Sequence, residues 1–147
     1  MADYTAYFNG EWVPYSQVKI DPSDRGFTVG DVVFGVARTF NGKSFRMKEH
    51  IDRLFRSLKY VRIDPGLSPD EMLDISEEVV QRNEPLRHDV GDYTITQFIT
   101  RGPGTTARAP GPPTVCVKAG AINFGRIAHL FEDGVHGEIA RTRSYPV

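Results

Sequence analysis

Two groups of side chains in this 147-residue chain have the types and spacing to do chemistry. The first lies on one predicted helix. Between Met47 and Val61, at about 100° per residue, His50, Arg53, Ser57 and Tyr60 fall along one flank of an apolar stripe. An arginine beside such a stripe has two roles open to it. Its stem can lie on the stripe while its head reaches water, which is the commoner fate. Alternatively its planar fork can hold a phosphate or carboxylate. His50 has no second histidine four residues on, so zinc is not indicated, and a structural hydrogen bond is its other role. The second group is scattered. Arg25 sits in a glycine-punctuated loop, Arg38 follows an apolar run, and Arg108 lies in a Gly/Pro-rich stretch. Arg38 either leaves the sheet edge or enters a cleft. Taken singly, each is more often structural or solvated than functional. No Ser/His/Asp arrangement, phosphate-cradling glycine loop or Cys/His cluster is visible. Residue chemistry alone reaches an α+β domain with a candidate anion site.

The whole chain narrows the classes. Apolar residues at 39% and charged residues at 25% are ordinary for a soluble globular protein of one domain. A net charge of -1 and a pI near 6.4 argue against a general nucleic-acid binder. No apolar run approaches the roughly 20 residues of a membrane span, and Met1 to Gly10 lacks the pattern of a signal peptide, so a cytoplasmic setting is expected. The single cysteine, Cys116, excludes an internal disulfide and sits in an apolar run as a packed thiol.

The elements that must position these side chains follow from pattern. Asn9-Gly10 between Tyr4–Phe8 and Glu11–Val13 predicts a hairpin with a type I′ turn. Gln17 to Ile20 reads as a short third strand. The run from Val32 to Phe40 is nearly continuously apolar as far as Ala37, which predicts a strand covered on both faces and central in its sheet. Asn41-Gly42 turns it back into Lys43–Arg46. Met47, Ile51, Leu54, Phe55, Leu58 and Val61 predict a helix over 47–61. Ser68-Pro69-Asp70-Glu71 is a capping box that opens a second, with Met72, Ile75, Val79 and Val80 inward and Glu84-Pro85 as its stop. Tyr93–Arg101 and Thr114–Ala119 read as strands around a long Gly/Pro loop. After a short polar stretch, Val135–Arg143 reads as a last strand. The tally is about six strands and two helices: an α+β fold with an antiparallel-rich sheet and both helices on one face.

The stretch from Asp24 to Arg62 resembles the N-terminal signature of the fold-type IV pyridoxal-phosphate enzymes, the branched-chain and D-amino-acid aminotransferases and their relatives. The matched pieces are Asn9-Gly10, Asp24-Arg25-Gly26-Phe27, Gly30-Asp31, Val33-Phe34, Asn41-Gly42 and Glu49-His50-Ile51-Asp52-Arg53-Leu54. Six pieces in order are more specific than any one of them. The resemblance implies the small N-terminal domain of the D-amino-acid aminotransferase-like fold over residues 1–119. Residues 120–147 would be the linker and first strand of an incomplete second domain. It also implies that Arg53 binds the phosphate of pyridoxal 5′-phosphate. Phe34 and Arg38 would line the substrate pocket, Arg108 would take a substrate carboxylate, and Tyr93 would be a pocket tyrosine. Two departures stand out: Pro110 replaces the histidine usual after the loop arginine, and Gly35 replaces the glutamate that commonly follows the strand aromatic.

In that family the Schiff-base lysine lies in the larger second domain. None of Lys19, Lys43, Lys48, Lys59 and Lys118 matches its position, so it is expected beyond Val147 and no catalytic residue is expected in this chain. The implied reaction moves an amino group from an amino acid or amine to a 2-oxo acid. Implied partners are the small-molecule donor and acceptor, the missing C-terminal domain and a second copy in a homodimer, with no nucleic acid or membrane. The alternatives are a non-catalytic binding or association domain of the same fold and an aminodeoxychorismate-lyase-like enzyme.

Overall fold

The computed structural model describes residues 3–104 and 111–139. Two Asn-Gly turns build its hairpins. β1 (Thr5–Phe8) turns through Asn9 and Gly10, both at positive φ, into β2 (Glu11–Pro14). A helical turn, α1 (Arg25–Val29), precedes β3 (Val32–Phe40), which folds back through Asn41-Gly42 into the two-residue β4 (Lys43–Ser44). Then come α2 (Met47–Val61), α3 (Pro69–Asn83), the short α4 (Arg87–Val90), β5 (Tyr93–Thr100), β6 (Thr114–Ala121) and α5 (Phe124–Asp133). The described strands form one six-stranded sheet in the order β2-β1-β6-β5-β3-β4, antiparallel throughout.

Helices α2 and α3 cover one face of this sheet. Met47, Ile51, Leu54 and Leu58 of α2, with Met72 and Val79 of α3, bury against Ala37, Ile95, Ile99 and Val117. Each large aliphatic side chain so buried contributes about 1.5–3 kcal/mol. The predicted capping box closes as drawn: the Ser68 hydroxyl accepts from the Glu71 N–H, and the Glu71 carboxylate accepts from the Ser68 N–H. The C-terminus of α2 is capped from far along the chain, by the Arg101 guanidinium donating to the carbonyls of Val61 (2.8 Å) and Arg62 (2.9 Å).

Four expectations are corrected. Tyr15–Gln17 form a single 3₁₀ turn and residues 18–20 join no strand, so the short third strand is absent. β3 is not central. It lies next to the edge, and its outer neighbour β4 pairs with it at only two positions. Nor is it covered on both faces. Gly35, Ala37 and Thr39 face the helices, while Phe34 and Phe40 stand largely exposed on the opposite side. The apparently continuous apolar run is an alternation in which one face carries small residues that let α2 approach. Finally, residues 135–139 form no strand, and 140–143 lie outside the described residues. The polar stretch before them contains α5, whose Asn123 cap accepts from the Arg126 N–H at 3.1 Å. Among the described residues no helix is long and apolar enough to cross a membrane.

Candidate functional site

The face of the sheet opposite the helices sets up the site. Register places Phe34 beside Phe98, Val36 beside Thr96 and Arg38 beside Thr94, with Cys116 and Lys118 next along on β6. All of these side chains share one side of the pleat. Phe34 is 62% exposed, and Val36 and Phe40 are also open to solvent. A run of apolar side chains left open on one sheet face marks a surface that something else covers. Toward the β4 end the face dips into a cleft of about 410 Å³ lined by Val36, Arg38, Phe40, Phe45, His50 and Thr94.

One cation, Arg38, lines that cleft and a second, Arg53, lies against its His50 wall; neither makes a salt bridge with a carboxylate among the described residues. The Arg38 guanidinium lies 3.9 Å from the Phe40 ring centre and 5.2 Å from that of Phe124, with its Nε donating to the Thr39 carbonyl at 3.2 Å. Arg53, exposed on α2, brings Nη2 within 3.3 Å of His50 Nδ1. Burial holds the His50 imidazole below its usual pKa, and the adjacent Arg53 charge pushes the same way. A neutral imidazole is therefore favoured, and its Nδ1 lone pair is free to accept from Arg53. Such an arrangement leaves the other guanidinium donors of Arg53 free for an oxyanion, and that fits a phosphate. On the far side of the face, the Lys118 ammonium donates to the Tyr15 hydroxyl at 2.7 Å and lies 4.5 Å from that ring's centre.

The remaining sequence candidates lie elsewhere. Tyr93 is fully buried on the helix side of β5, its hydroxyl donating to the Asn83 carbonyl at 2.5 Å. Burial pushes its phenol up to about 12. The pleat thus places Tyr93 on the side of the sheet opposite Phe34 and Arg38. Arg108 lies outside the described residues. Cys116 is buried, which raises its thiol pKa and keeps it protonated.

Arg25 is a structural cation. Its Nε meets Asp31 Oδ2 at 3.1 Å, and the same carboxylate takes Arg101 Nε at 2.7 Å and Nη2 at 3.2 Å. The Arg101 hydrogen bonds, with help from Arg25, hold the Asp31 carboxyl below the usual carboxylate range. Asp24 is fully buried and accepts from the Gly26 N–H (2.7 Å), the Thr100 hydroxyl (2.8 Å) and the Thr114 hydroxyl (2.6 Å). A Cβ on Gly26 would collide with the Thr100 side chain. The loop is thus clamped to the ends of β5 and β6, which fixes the start of β3 and with it Phe34. Sequence reading missed Arg101, Asp31 as a shared acceptor, and the Lys118–Tyr15 contact. The period-2 alternation of β5 and β6 carries the signal that would place Phe98 and Lys118 on the open face.

Comparison with known proteins adds a family. The family model for amino-transferase class IV matches residues 32–130. A Methanocaldococcus jannaschii protein described as a branched-chain-amino-acid aminotransferase is 35% identical over 145 residues, covering 96% of this chain and 47% of the relative. The D-alanine aminotransferase of Staphylococcus aureus is 35% identical over 133 residues, covering 89% of this chain and 45% of the relative. The chain therefore spans about half the length of the curated relatives it matches. The Escherichia coli branched-chain amino acid aminotransferase superposes with a TM-score of 0.72 at 23% identity, over 82% of this chain and 40% of the other. At that identity it speaks for the fold alone. A T.th. branched-chain amino acid aminotransferase complexed with N-(5′-phosphopyridoxyl)-L-glutamate superposes at 0.71 with 25% identity, over 82% and 40%.

Proposed function

The chain belongs to the class IV aminotransferase family, and from that premise we propose that it is the N-terminal, ligand-facing part of a pyridoxal-phosphate-dependent transaminase. The reaction passes an amino group from an amino acid or amine to a 2-oxo acid. The observation that carries the reading is a pair of guanidinium groups without salt-bridge partners among the described residues, Arg38 lining a cleft at the edge of an open apolar sheet face and Arg53 against the His50 that lines the same cleft. An anionic cofactor and an anionic substrate each require one fixed cation, and Arg38 in the cleft and Arg53 against its His50 wall are two.

Arg53 holds the cofactor's phosphate through its free guanidinium donors. Arg38 presents its charge to a substrate carboxylate, its guanidinium seated over the Phe40 ring. Phe34, Val36 and Phe40 exclude water from the substrate's apolar part. Arg108 joins the substrate side by resemblance. Pyridoxal phosphate, when bound, supplies an electron sink for the substrate's α-carbon. The lysine that joins it covalently belongs to a second domain beyond Val147, with the present chain divided at about residue 119. β6 runs on to Ala121, and α5 buries no residue, which supports a boundary close to that point. That second domain is the proposed cover of the open face, and a homodimer is the proposed assembly.

Binding of pyridoxal phosphate to the purified chain, followed by tryptophan fluorescence with pyridoxal as control, tests the cofactor part. Saturable binding that requires the phosphate and is lost in Arg53→Met is expected. Equal binding of pyridoxal and pyridoxal phosphate would sink it. Joining the chain to the second domain and assaying transfer from simple amino donors to 2-oxoglutarate tests the reaction.

A further inference from the structure

We propose that His50 is a positioning residue for the phosphate site: its neutral imidazole, protonated on Nε2, accepts from Arg53 through Nδ1 and fixes that guanidinium beside the cleft that His50 lines. The inference rests on the phosphate-binding reading of Arg53 and adds a residue that acts through it.

The geometry supports it from several sides. Arg53 follows His50 by three positions on α2, the spacing at which helix side chains meet. Among the described residues the Arg53 guanidinium is met by His50, 3.3 Å away, and not by a carboxylate. Neighbouring cations on the same helix are different. Arg46 pairs with Glu49 at 3.3 Å and Lys48 with Asp52 at 3.3 Å, so their charges are already compensated. A carboxylate in the place of His50 would hold Arg53 more strongly, but it would also compete with an incoming anion. A neutral acceptor orients the fork and leaves its charge available. His50 is half-buried and lines the cleft beside Arg38 and Thr94, so its own position is set by packing while Arg53 is exposed.

The surroundings favour the neutral form. On its own helix Arg46 and Arg53 oppose protonation of His50 and Glu49 favours it, while β3 contributes Arg38 across the cleft and β5 the uncharged Thr94. An imidazolium would turn the Arg53 contact into donor against donor and swing the guanidinium away. With Nδ1 committed to Arg53, the proton must sit on Nε2, which makes the tautomer an observable.

Imidazole nitrogen NMR on the 147-residue chain, with inorganic phosphate as the probe, provides the test. The expected spectrum at neutral pH shows His50 as the Nε2–H tautomer with Nδ1 accepting a hydrogen bond. Arg53→Met abolishes saturable phosphate binding. His50→Leu weakens it about five-fold, the worth of one hydrogen bond. His50→Asn, whose carbonyl oxygen reaches the place of Nδ1, restores it to within about two-fold of the parent chain. An Nδ1–H tautomer overturns the proposal, and it is read on the unmutated chain, so it does not depend on any variant folding. Phosphate affinity unchanged in His50→Leu, together with loss in Arg53→Met, removes His50 and leaves the Arg53 reading standing. Unchanged affinity in Arg53→Met overturns both.

Discussion

Arginines at the two ends of β3 meet opposite fates. At its start, Arg25 and Arg101 converge on one carboxylate, Asp31, and each side chain in the cluster is only 17–19% exposed. Toward its far end, Arg38 lies on an aromatic ring and Arg53 meets a neutral imidazole. One region spends its charge on holding the chain together, and the other leaves it without a salt bridge among the described residues, although Arg38 acts on the Asp92 carboxyl from a distance. The difference separates scaffold from site within a single stretch of sequence, because a cation already paired with a carboxylate has little left to offer a ligand. It also separates the two regions by what mutation should do to them.

The largest effect belongs to the clamp. Asp24→Ala leaves two buried hydroxyls and an N–H without their acceptor and should cost about 3 kcal/mol, seen as a lower denaturant midpoint with an unchanged slope. Loss below 0.5 kcal/mol, the ordinary range for surface sites, would mean that the loop is not clamped as described. Arg101→Met comes next. It removes the partner of Asp31 and uncaps the last carbonyls of α2, for about 1–2 kcal/mol once residual solvent screening is counted. Hydrogen exchange should rise first in the last turn of α2. Tyr93→Phe should cost about 1 kcal/mol by removing the hydroxyl's hydrogen bond to the Asn83 carbonyl, and should leave phosphate binding untouched. A drop in phosphate affinity there would put Tyr93 in the pocket.

The same contrast shows in acid. The folded-state pKa of Asp31 is lowered, chiefly by hydrogen bonds from Arg101 and then by Arg25. Asp92 is lowered mainly by the Gly42 N–H, with Thr39 and Asn41 also donating. A depressed carboxyl adds stability that is fully present above its unfolded-state pKa and is lost as pH falls through the folded one. Stability should therefore fall below the ordinary carboxylate range. Asp31→Asn should flatten that decline relative to the parent chain.

Much of the scaffold was legible because its signals are local. The α2 stripe, the Ser68 capping box and both Asn-Gly turns are settled within a few residues of themselves. What escaped is settled at a distance. The hydroxyls that reach Asp24 come from 76 and 90 positions away, and no spacing rule ties them to it. The side of the sheet occupied by the helices was hidden because Gly35 and Ala37 count as apolar, though their small size is what marks the helix-facing side. The face that Tyr93 takes was hidden for a related reason, since an aromatic at a strand start looks the same on either side of the sheet. Arg53 was placed correctly on its flank from periodicity, but its lack of a carboxylate partner is a tertiary fact.

Arg53→Met should produce the smallest change in stability and the clearest change in binding. The side chain is exposed and its contact with His50 is single, so stability should stay within about 0.5 kcal/mol of the parent. Methionine keeps the stem's packing on α2 and removes only the fork. Pyridoxal phosphate affinity should nevertheless fall by at least about ten-fold, the difference made by one charge-assisted contact to a phosphate. Arg25→Met, measured beside it, should reverse the pattern, with stability lowered and binding altered no more than the unfolding requires. If both substitutions lower stability alike and binding alike, arginines with and without a salt bridge are not different in kind here, and the division between scaffold and site is drawn in the wrong place.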